Sequence, residues 1–131
     1  MKVFLDTNVL VAAFATRGLC EDVMRVVLRE QELIVGTHVL VELERVLIDK
    51  LGLTSQKAAA VRSFVKSEST VVEPQEPATW PKSDPDDRWI AAAALQSGAD
   101  ILVTGDQDLL QAADESPISI VSPREFWEQL R

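Results

Sequence analysis

Four acidic residues border apolar runs that lie far apart in this chain. Asp6 directly follows a short apolar run, and Asp106 comes just after another one. Asp87 opens an alanine-rich stretch, and Glu42 lies early in a further apolar run. Open α/β sheets bind their ligands in the crevice outside the carboxyl ends of the strands. Carboxylates at strand ends, or in the first turns of the helices that follow, would face that crevice together.

Several carboxylates in one crevice repel one another unless a cation lies between them. Carboxylate oxygens are hard ligands, and they suit Mg²⁺ or Mn²⁺. The residue types and their positions therefore give a first hypothesis, a metal-dependent hydrolase.

Three of the four acids also have an ordinary structural interpretation. Asp6 and Asp106 could cap the helices that follow them, and Asp87 could favour the positive end of a helix. Glu42 has no such interpretation, because it lies inside an apolar helical pattern and shares a stripe with valines. The spacing alone leaves open whether that stripe faces the core or the rim of a pocket. An unpaired acid in the core would be costly, which favours a functional role for Glu42.

Composition limits the class of protein. A chain of 131 residues suits one domain with a full core. The single cysteine, Cys20, excludes an internal disulfide and a cysteine-cluster metal site. No apolar stretch approaches the length of a membrane helix. The first apolar run is not a signal peptide, because Asp6 and Asn8 interrupt it. We therefore expect a cytoplasmic protein with no membrane association.

The charge balance bears on the substrate. The formal net charge is −8 and the sequence pI is about 4.6, which makes the protein a poor non-specific binder of nucleic acid. This balance counts against a nucleic-acid substrate without excluding it, because part of the acidity would belong to the metal site. A bound cation would invert the field there.

Strand and helix patterns alternate along the chain. Short apolar runs predict strands at residues 3–5, 33–35, 71–72, 101–103 and 118–121. Helical spacing of apolar residues lies within residues 9–14, 23–30, 40–51, 58–65 and 89–96. A further helix is predicted to start at Ser122, with Pro123 at its first position and Glu125 at its third. Gly98 and Thr54 or Ser55 are the expected caps of two others.

This alternation predicts a parallel sheet that is covered on both faces. Residues 73–85 carry four of the prolines and read as a surface loop rather than a domain linker, because too little chain follows for a second domain. We therefore predict an α/β fold, a three-layer α/β/α sandwich of about five strands.

The acidic motifs together resemble those of the PIN domain, a family of metal-dependent ribonucleases. The segments that carry the resemblance are residues 3–10 (VFLDTNVL), 42–47 (ELERVL), 84–87 (DPDD) and 99–110 (ADILVTGDQDLL). They follow the family's order and run through nearly the whole chain, which identifies residues 1–131 as a single PIN-like domain. The closest likeness is to the small bacterial and archaeal members that are toxins of toxin–antitoxin pairs.

The resemblance implies a parallel, Rossmann-like sheet and an acid cluster that binds Mg²⁺ or Mn²⁺. Carried over residue by residue, the catalytic and metal-binding cluster is Asp6, Glu42, Asp87 and Asp106. Supporting positions that match the family are Thr7, Asn8, Thr104, Asp84 and Asp108. One departure lies after the second strand, where Thr37 replaces the serine that the family often has.

The activity implied is endonucleolytic hydrolysis of RNA, with the cations polarising the phosphate and activating a water. The lone histidine, His38, is expected to be a surface residue rather than a catalyst. Arg45 and Arg88 are candidate substrate-binding cations. Trp80 and Trp89 flank the acidic loop, where an aromatic ring could stack on a base or pack into the core or a subunit contact.

Two other functions stay open. A haloacid-dehalogenase-like phosphatase would use Asp6 as its nucleophile, but that family usually has a second aspartate where this chain has Asn8. A catalytically silent partner-binding domain is disfavoured by the complete acid quartet. The expected partners of the ribonuclease are single-stranded or loop RNA, an antitoxin protein and a second copy of the chain in a homodimer.

Overall fold

The computed structural model describes residues 1–82 and 84–130. Five strands lie in one sheet: β1 (Lys2–Leu5), β2 (Glu32–Gly36), β3 (Thr70–Val72), β4 (Ile101–Val103) and β5 (Ser119–Val121). The helices are α1 (Thr7–Ala15), α2 (Leu19–Glu30), α3 (Thr37–Asp49), α4 (Ser55–Glu68), α5 (Asp87–Gln96), α6 (Gln107–Gln111) and α7 (Pro123–Gln129). A short 3-10 helix, Ala113–Glu115, follows α6. The predicted α/β fold with a five-stranded sheet is confirmed.

The strand order is β3-β2-β1-β4-β5, and every neighbouring pair is parallel. The chain moves outward from β1 to β3 and then crosses to the other side of β1, where it forms β4 and β5. The order therefore reverses between β1 and β4. In open α/β sheets such a reversal opens a crevice at the carboxyl ends of the two strands.

The three central strands are buried almost throughout, as a sheet covered on both faces requires. Helices α3 and α4 pack closely against each other, as do α1 and α2, while α5 packs against β2. Strands as short as three residues suffice here, because the helices supply most of the apolar cover.

Local sequence signals set several helix ends. Ser122 and Glu125 form a reciprocal capping box at the start of α7, with Pro123 at the first helical position. Thr54 caps α4 through a hydrogen bond from the backbone N–H of Lys57. Gly98 follows α5 with a φ of 71°, the left-handed conformation expected of a C-terminal glycine. These predicted caps are confirmed.

The segment between β3 and α5 is less open than a surface loop would be. Trp80 and Pro81 are buried, and the loop is tied to α5 by a hydrogen bond from Ala78 N–H to the carbonyl of Arg88. Within residues 1–82 and 84–130, no helix is long and apolar enough to cross a membrane.

Candidate active site

The acidic residues of interest converge on the crevice between β1 and β4. Asp6 directly follows β1, and Asp106 lies three residues beyond the end of β4. Asp87 is the first residue of α5, and Glu42 lies in the second turn of α3. All four side chains line one cleft with a volume of about 1010 Å³. The fold thus brings together residues that are as much as 100 positions apart in the sequence.

Asp6 is held rigidly by three hydrogen-bond donors. One of its oxygens accepts from the backbone N–H of Thr7 at 2.7 Å. The other accepts from the hydroxyl of Thr104 at 2.7 Å and from the side-chain amide of Asn8 at 3.1 Å. Asp6 therefore caps α1, as its structural interpretation suggested, and also faces the cleft as its functional interpretation requires.

Thr104 and Asn8 connect the ends of the two central strands. The fully buried Thr104 hydroxyl donates to Asp6 and accepts from the backbone N–H of Asp106 at 3.0 Å. The amide oxygen of Asn8 accepts from the backbone N–H of Gly105 at 2.8 Å. These two side chains fix Asp6 and Asp106 relative to each other, as expected of supporting residues. Thr7 contributes its backbone N–H, while its buried hydroxyl has no hydrogen-bond partner in residues 1–82 and 84–130.

Asp87 is a strongly perturbed acid of the cleft. Its side chain is almost fully buried, and its Oδ2 atom has no hydrogen-bond partner among the described residues. Burial and then the negative charges of Asp106, Asp84, Asp6 and Asp108 raise the pKa of Asp87 from 3.8 to about 7. Burial also raises the pKa of Asp6, although the bonds from Thr104 and Thr7 oppose that change. A cation among these groups would relieve the desolvation and the repulsion together.

The three acids whose carboxylate oxygens come together closely enough to share one cation are not those of the predicted quartet. Among the described residues, Asp84, Asp87 and Asp108 each offer one carboxylate oxygen, and these oxygens lie within 4.8 Å of one another. Asp84 and Asp108 were expected to be supporting residues only. Asp84 accepts from the backbone N–H of Asp86 at 2.9 Å, so its side chain is anchored at the entrance to α5.

Glu42 lies at the rim of the cleft rather than in the core. Its side chain is 49% exposed, and one oxygen lies 3.6 Å from the guanidinium of Arg45 on the next turn of α3. Helical spacing left open whether Glu42 faces the core or the rim of a pocket, and this exposure places it at the rim. Water and the guanidinium of Arg45 both stabilise the carboxylate at this position.

His38 is half-buried and lines the cleft, so the expectation of a surface residue was wrong. Its Nε2 atom is buried, and no residue within the described part of the chain forms a hydrogen bond with it. Burial lowers the pKa of His38, while the charge of Glu42 acts in the opposite direction. Local sequence carries little signal for this placement, because a histidine at the start of a helix is compatible with either environment.

The cations of the site also differ from those proposed from the sequence. Neither Arg45 nor Arg88 lines the cleft; Arg88 instead donates to the backbone carbonyls of Pro81 at 2.7 Å and Lys82 at 3.1 Å. Among the residues that the structure describes, Lys50, at the end of α3, is the only lysine or arginine that lines the cleft. Seven carboxylic side chains line the same cleft: Asp6, Glu42, Glu73, Asp84, Asp86, Asp87 and Asp106.

The donor set fits a hard divalent cation. The acids supply only oxygen atoms, which Mg²⁺ and Mn²⁺ prefer. A buried carboxylate oxygen without a donor, such as Oδ2 of Asp87, is uncommon in folded proteins and is satisfied by a proton or by a cation.

Comparison with known proteins agrees with this geometry. The model of the PIN-domain family matches residues 2–108, which include every acid of the predicted quartet. The chain therefore belongs to the PIN-domain family. Among curated proteins, no sequence match was found.

Solved structures share the fold at low sequence identity. VapBC2 from Rickettsia felis, solved with a DNA fragment from its promoter, has a TM-score of 0.68 at 15% identity, covering 93% of this chain and 98% of that one. VapBC-1 from nontypeable Haemophilus influenzae has a TM-score of 0.66 at 18% identity, covering 95% and 99%. VapC20 from Mycobacterium tuberculosis, described as a toxin that cleaves the sarcin–ricin loop, has a TM-score of 0.62 at 16% identity, covering 84% and 94%.

Proposed function

We propose that this protein is an Mg²⁺- or Mn²⁺-dependent endoribonuclease that hydrolyses RNA phosphodiester bonds in the cleft between β1 and β4. The observation that carries the proposal is the placement of Asp6, Glu42, Asp87 and Asp106 around one cleft. Membership of the PIN-domain family supports it. The similarity in fold to VapC20, which is described as cleaving an RNA loop, also supports it.

Asp6, Glu42, Asp87 and Asp106 would hold the cation, with Asp84 and Asp108 beside them. A bound divalent cation would polarise the scissile phosphate and lower the pKa of a water for in-line attack. Thr104 and Asn8 keep Asp6 and Asp106 in a fixed relation, so the ligands do not have to be reorganised when substrate arrives. The burial of Asp6 and Asp87 limits their access to water and strengthens their attraction for a cation.

Cleavage of RNA by the purified protein tests this proposal. We expect cleavage with Mg²⁺ or Mn²⁺, none with a chelator, and recovery when the metal is restored. Asp106→Asn should reduce cleavage at least a hundredfold. The matched control is Asp49→Asn, an exposed acid of α3 outside the cleft, which should cleave like the wild type. Full activity of Asp106→Asn, or full activity in chelator, would refute the metal assignment.

The same preparation distinguishes the alternatives. A haloacid-dehalogenase-like phosphatase would hydrolyse a small phosphomonoester and leave RNA intact. A catalytically silent partner-binding domain would hydrolyse neither substrate under any metal condition.

We further propose that residues 1–131 form one PIN domain that acts as the toxin of a toxin–antitoxin pair. Support comes from the similarity in fold to VapBC2 and VapBC-1, which extends over nearly the full length of those chains. Induced expression should arrest growth in a bacterial host, and expression of the protein encoded by the adjacent gene should restore it. Growth arrest by the Asp106→Asn variant at equal protein level would show that the toxicity does not come from the cleft.

We also propose that the protein forms a homodimer. Exposed apolar side chains on α1, α3 and α4 support it: Phe14, Val41 and Phe64 are each more than one third exposed. Light scattering after size exclusion gives the mass directly, and a mass of 14.5 kDa at micromolar concentration would contradict the dimer.

A further inference from the structure

Trp89 differs from the other two tryptophans of the chain. Trp80 is buried in the core and Trp127 is half-buried, whereas Trp89 is 39% exposed. Trp89 lies in the first turn of α5, two residues after Asp87, and its side chain lines the acidic cleft. An exposed indole in a concave site is a flat apolar surface that no part of the described structure covers.

The charges in the cleft limit how RNA can be held there. Within residues 1–82 and 84–130, seven carboxylic side chains line the cleft, whereas Lys50 is the only lysine or arginine that does so. Arg45 is paired with Glu42, and the guanidinium of Arg88 donates to backbone carbonyls. Contacts between cations and phosphates, which usually dominate the affinity for nucleic acids, are therefore scarce in this cleft. Another interaction must contribute to holding the substrate.

Stacking of a base on an aromatic ring can supply that interaction, because it depends on neither charge nor sequence. The cleft is also partly apolar, since Val11, Val46, Leu51 and Ile90 line it together with Trp89. Residues two apart on a helix do not face each other, yet Asp87 and Trp89 both line this one cleft, which curves around the start of α5. A nucleotide whose phosphate lies at the acids therefore has its base in the cleft that the indole borders.

We propose that Trp89 stacks on an unpaired nucleobase of the substrate next to the scissile phosphate. The site then selects single-stranded RNA by contact with a base rather than by contact with several phosphates. This inference rests on the proposed ribonuclease function. It assigns a substrate-binding role to a residue outside the acid cluster.

The test combines a protein variant with a modified substrate. A single-stranded oligoribonucleotide that the wild type cleaves at one site is synthesised in a series with one abasic ribonucleotide at each position around that site. We expect one abasic position to lower kcat/KM of the wild type roughly five- to a hundredfold. Trp89→Ala should show a similar loss on the intact RNA and no further loss at that abasic position, because the partner of the base is already gone.

Two variants serve as controls. Trp89→Phe keeps an aromatic face and should retain most of the activity, which keeps the proposal testable if Trp89→Ala does not fold. Trp127→Phe makes the same change at a half-buried tryptophan outside the cleft and should leave kcat/KM unchanged. The base contact would be overturned if every abasic position lowered kcat/KM equally, or if the abasic position lowered kcat/KM of Trp89→Ala as much as that of the wild type. It would also be overturned if Trp89→Ala changed the oligomeric state without changing kcat/KM.

A binding measurement separates this inference from the ribonuclease proposal. The tryptophan fluorescence of Asp106→Asn is titrated with intact and abasic RNA in Mg²⁺, and quenching by the intact RNA alone is the expected result. If the wild type does not cleave RNA but this quenching occurs, the ribonuclease proposal fails and the base contact stands. If the wild type cleaves RNA and abasic sites change neither kcat/KM nor quenching, the base contact fails alone. Absence of both cleavage and quenching refutes both.

Discussion

Asp87 combines burial, an unpartnered oxygen and four acidic neighbours. Burial, the largest cause, and the charges of these neighbours raise its pKa from 3.8 to about 7. The folded protein therefore binds more protons than the unfolded chain between about pH 4 and pH 7. In the absence of metal, stability should fall as the pH rises through this window, because the carboxylate must then carry its charge in a buried, acidic environment.

The loss in free energy of unfolding over this pH range should be on the order of a few kcal/mol, measured by denaturant unfolding in chelator. Asp87→Asn should remove much of the pH dependence and should be more stable than the wild type near pH 8. Asp49→Asn, the exposed control, should retain the wild-type pH profile. A saturating divalent cation should reverse the trend, because it binds the ionised carboxylates of the folded state. A metal-free wild type whose stability rises between pH 4 and pH 7 would contradict this account of Asp87.

Thr104 tests how strictly the acids must be positioned. Its hydroxyl donates to Asp6 and accepts from the backbone N–H of Asp106, and the residue has no exposed surface. Thr104→Val keeps the shape but removes both hydrogen bonds, so we expect a loss of about 1–3 kcal/mol in stability. Cleavage should fall about ten- to a hundredfold, mainly in kcat, because the ligands lose their fixed relation. Thr104→Ser should restore most of this activity, whereas equal rates for the serine and valine variants would show that the hydroxyl has no positioning role.

Single residues differ in how far the sequence predicts their role. Asp6 and Asp106 could be placed because each follows an apolar run, and strand ends share one edge of a parallel sheet. The placement of His38 and Lys50 could not be predicted. Both depend on the tilt of α3 against its neighbours, which arises from packing between helices rather than from the local sequence.

The junction between β2 and α3 places His38 in the cleft. Gly36 ends β2 in an extended conformation, with φ of −91° and ψ of 154°, which alanine adopts without strain. A Cβ atom on Gly36 would nevertheless lie 2.8 Å from Cε1 and 3.0 Å from Nδ1 of His38, whereas Cβ of Ala93 is at an ordinary 3.5 Å. The glycine is therefore required by the imidazole and not by the backbone.

A double-mutant cycle tests this relation. Gly36→Ala should destabilise the wild type by about 1–3 kcal/mol, because the ring of His38 must move. The same change in a His38→Ala background should cost much less, which gives a coupling free energy of at least about 0.5 kcal/mol. Urea denaturation of the four proteins measures the cycle. Additive effects would mean that Gly36 is needed for some other reason.

Regular elements were largely predictable where the apolar period is clear or a cap is explicit, as at Ser122 and Gly98. Helix α6 and the 3-10 turn after it were not predicted, because five and three residues are too few to show a period. Their position still matters, since Asp106 caps α6 by accepting from the backbone N–H of Asp108. Strand order was equally inaccessible to local patterns, because β1 pairs with β4 through Val3 and Ile101, which lie almost 100 residues apart.

At the scale of the whole molecule, an acidic protein is proposed to bind an acidic polymer. The formal net charge is −8, and the cleft itself carries seven carboxylic side chains. Without a divalent cation, the field in the cleft should repel RNA. With one, the local field is inverted, and a phosphate and a base next to it can be held without an extended basic surface.

This balance predicts the salt and metal dependence of RNA binding. The inactive Asp106→Asn variant is titrated with a short single-stranded RNA at several concentrations of monovalent salt. The active Asp49→Asn control is titrated in the same way with a non-cleavable analogue of that RNA. Both should bind weakly in chelator. In Mg²⁺ the control should bind more tightly than Asp106→Asn, with a shallow salt slope that corresponds to roughly two or three phosphate contacts. Tight binding in chelator with a steep salt dependence would contradict this account, because it would require a basic surface outside the cleft to hold the RNA.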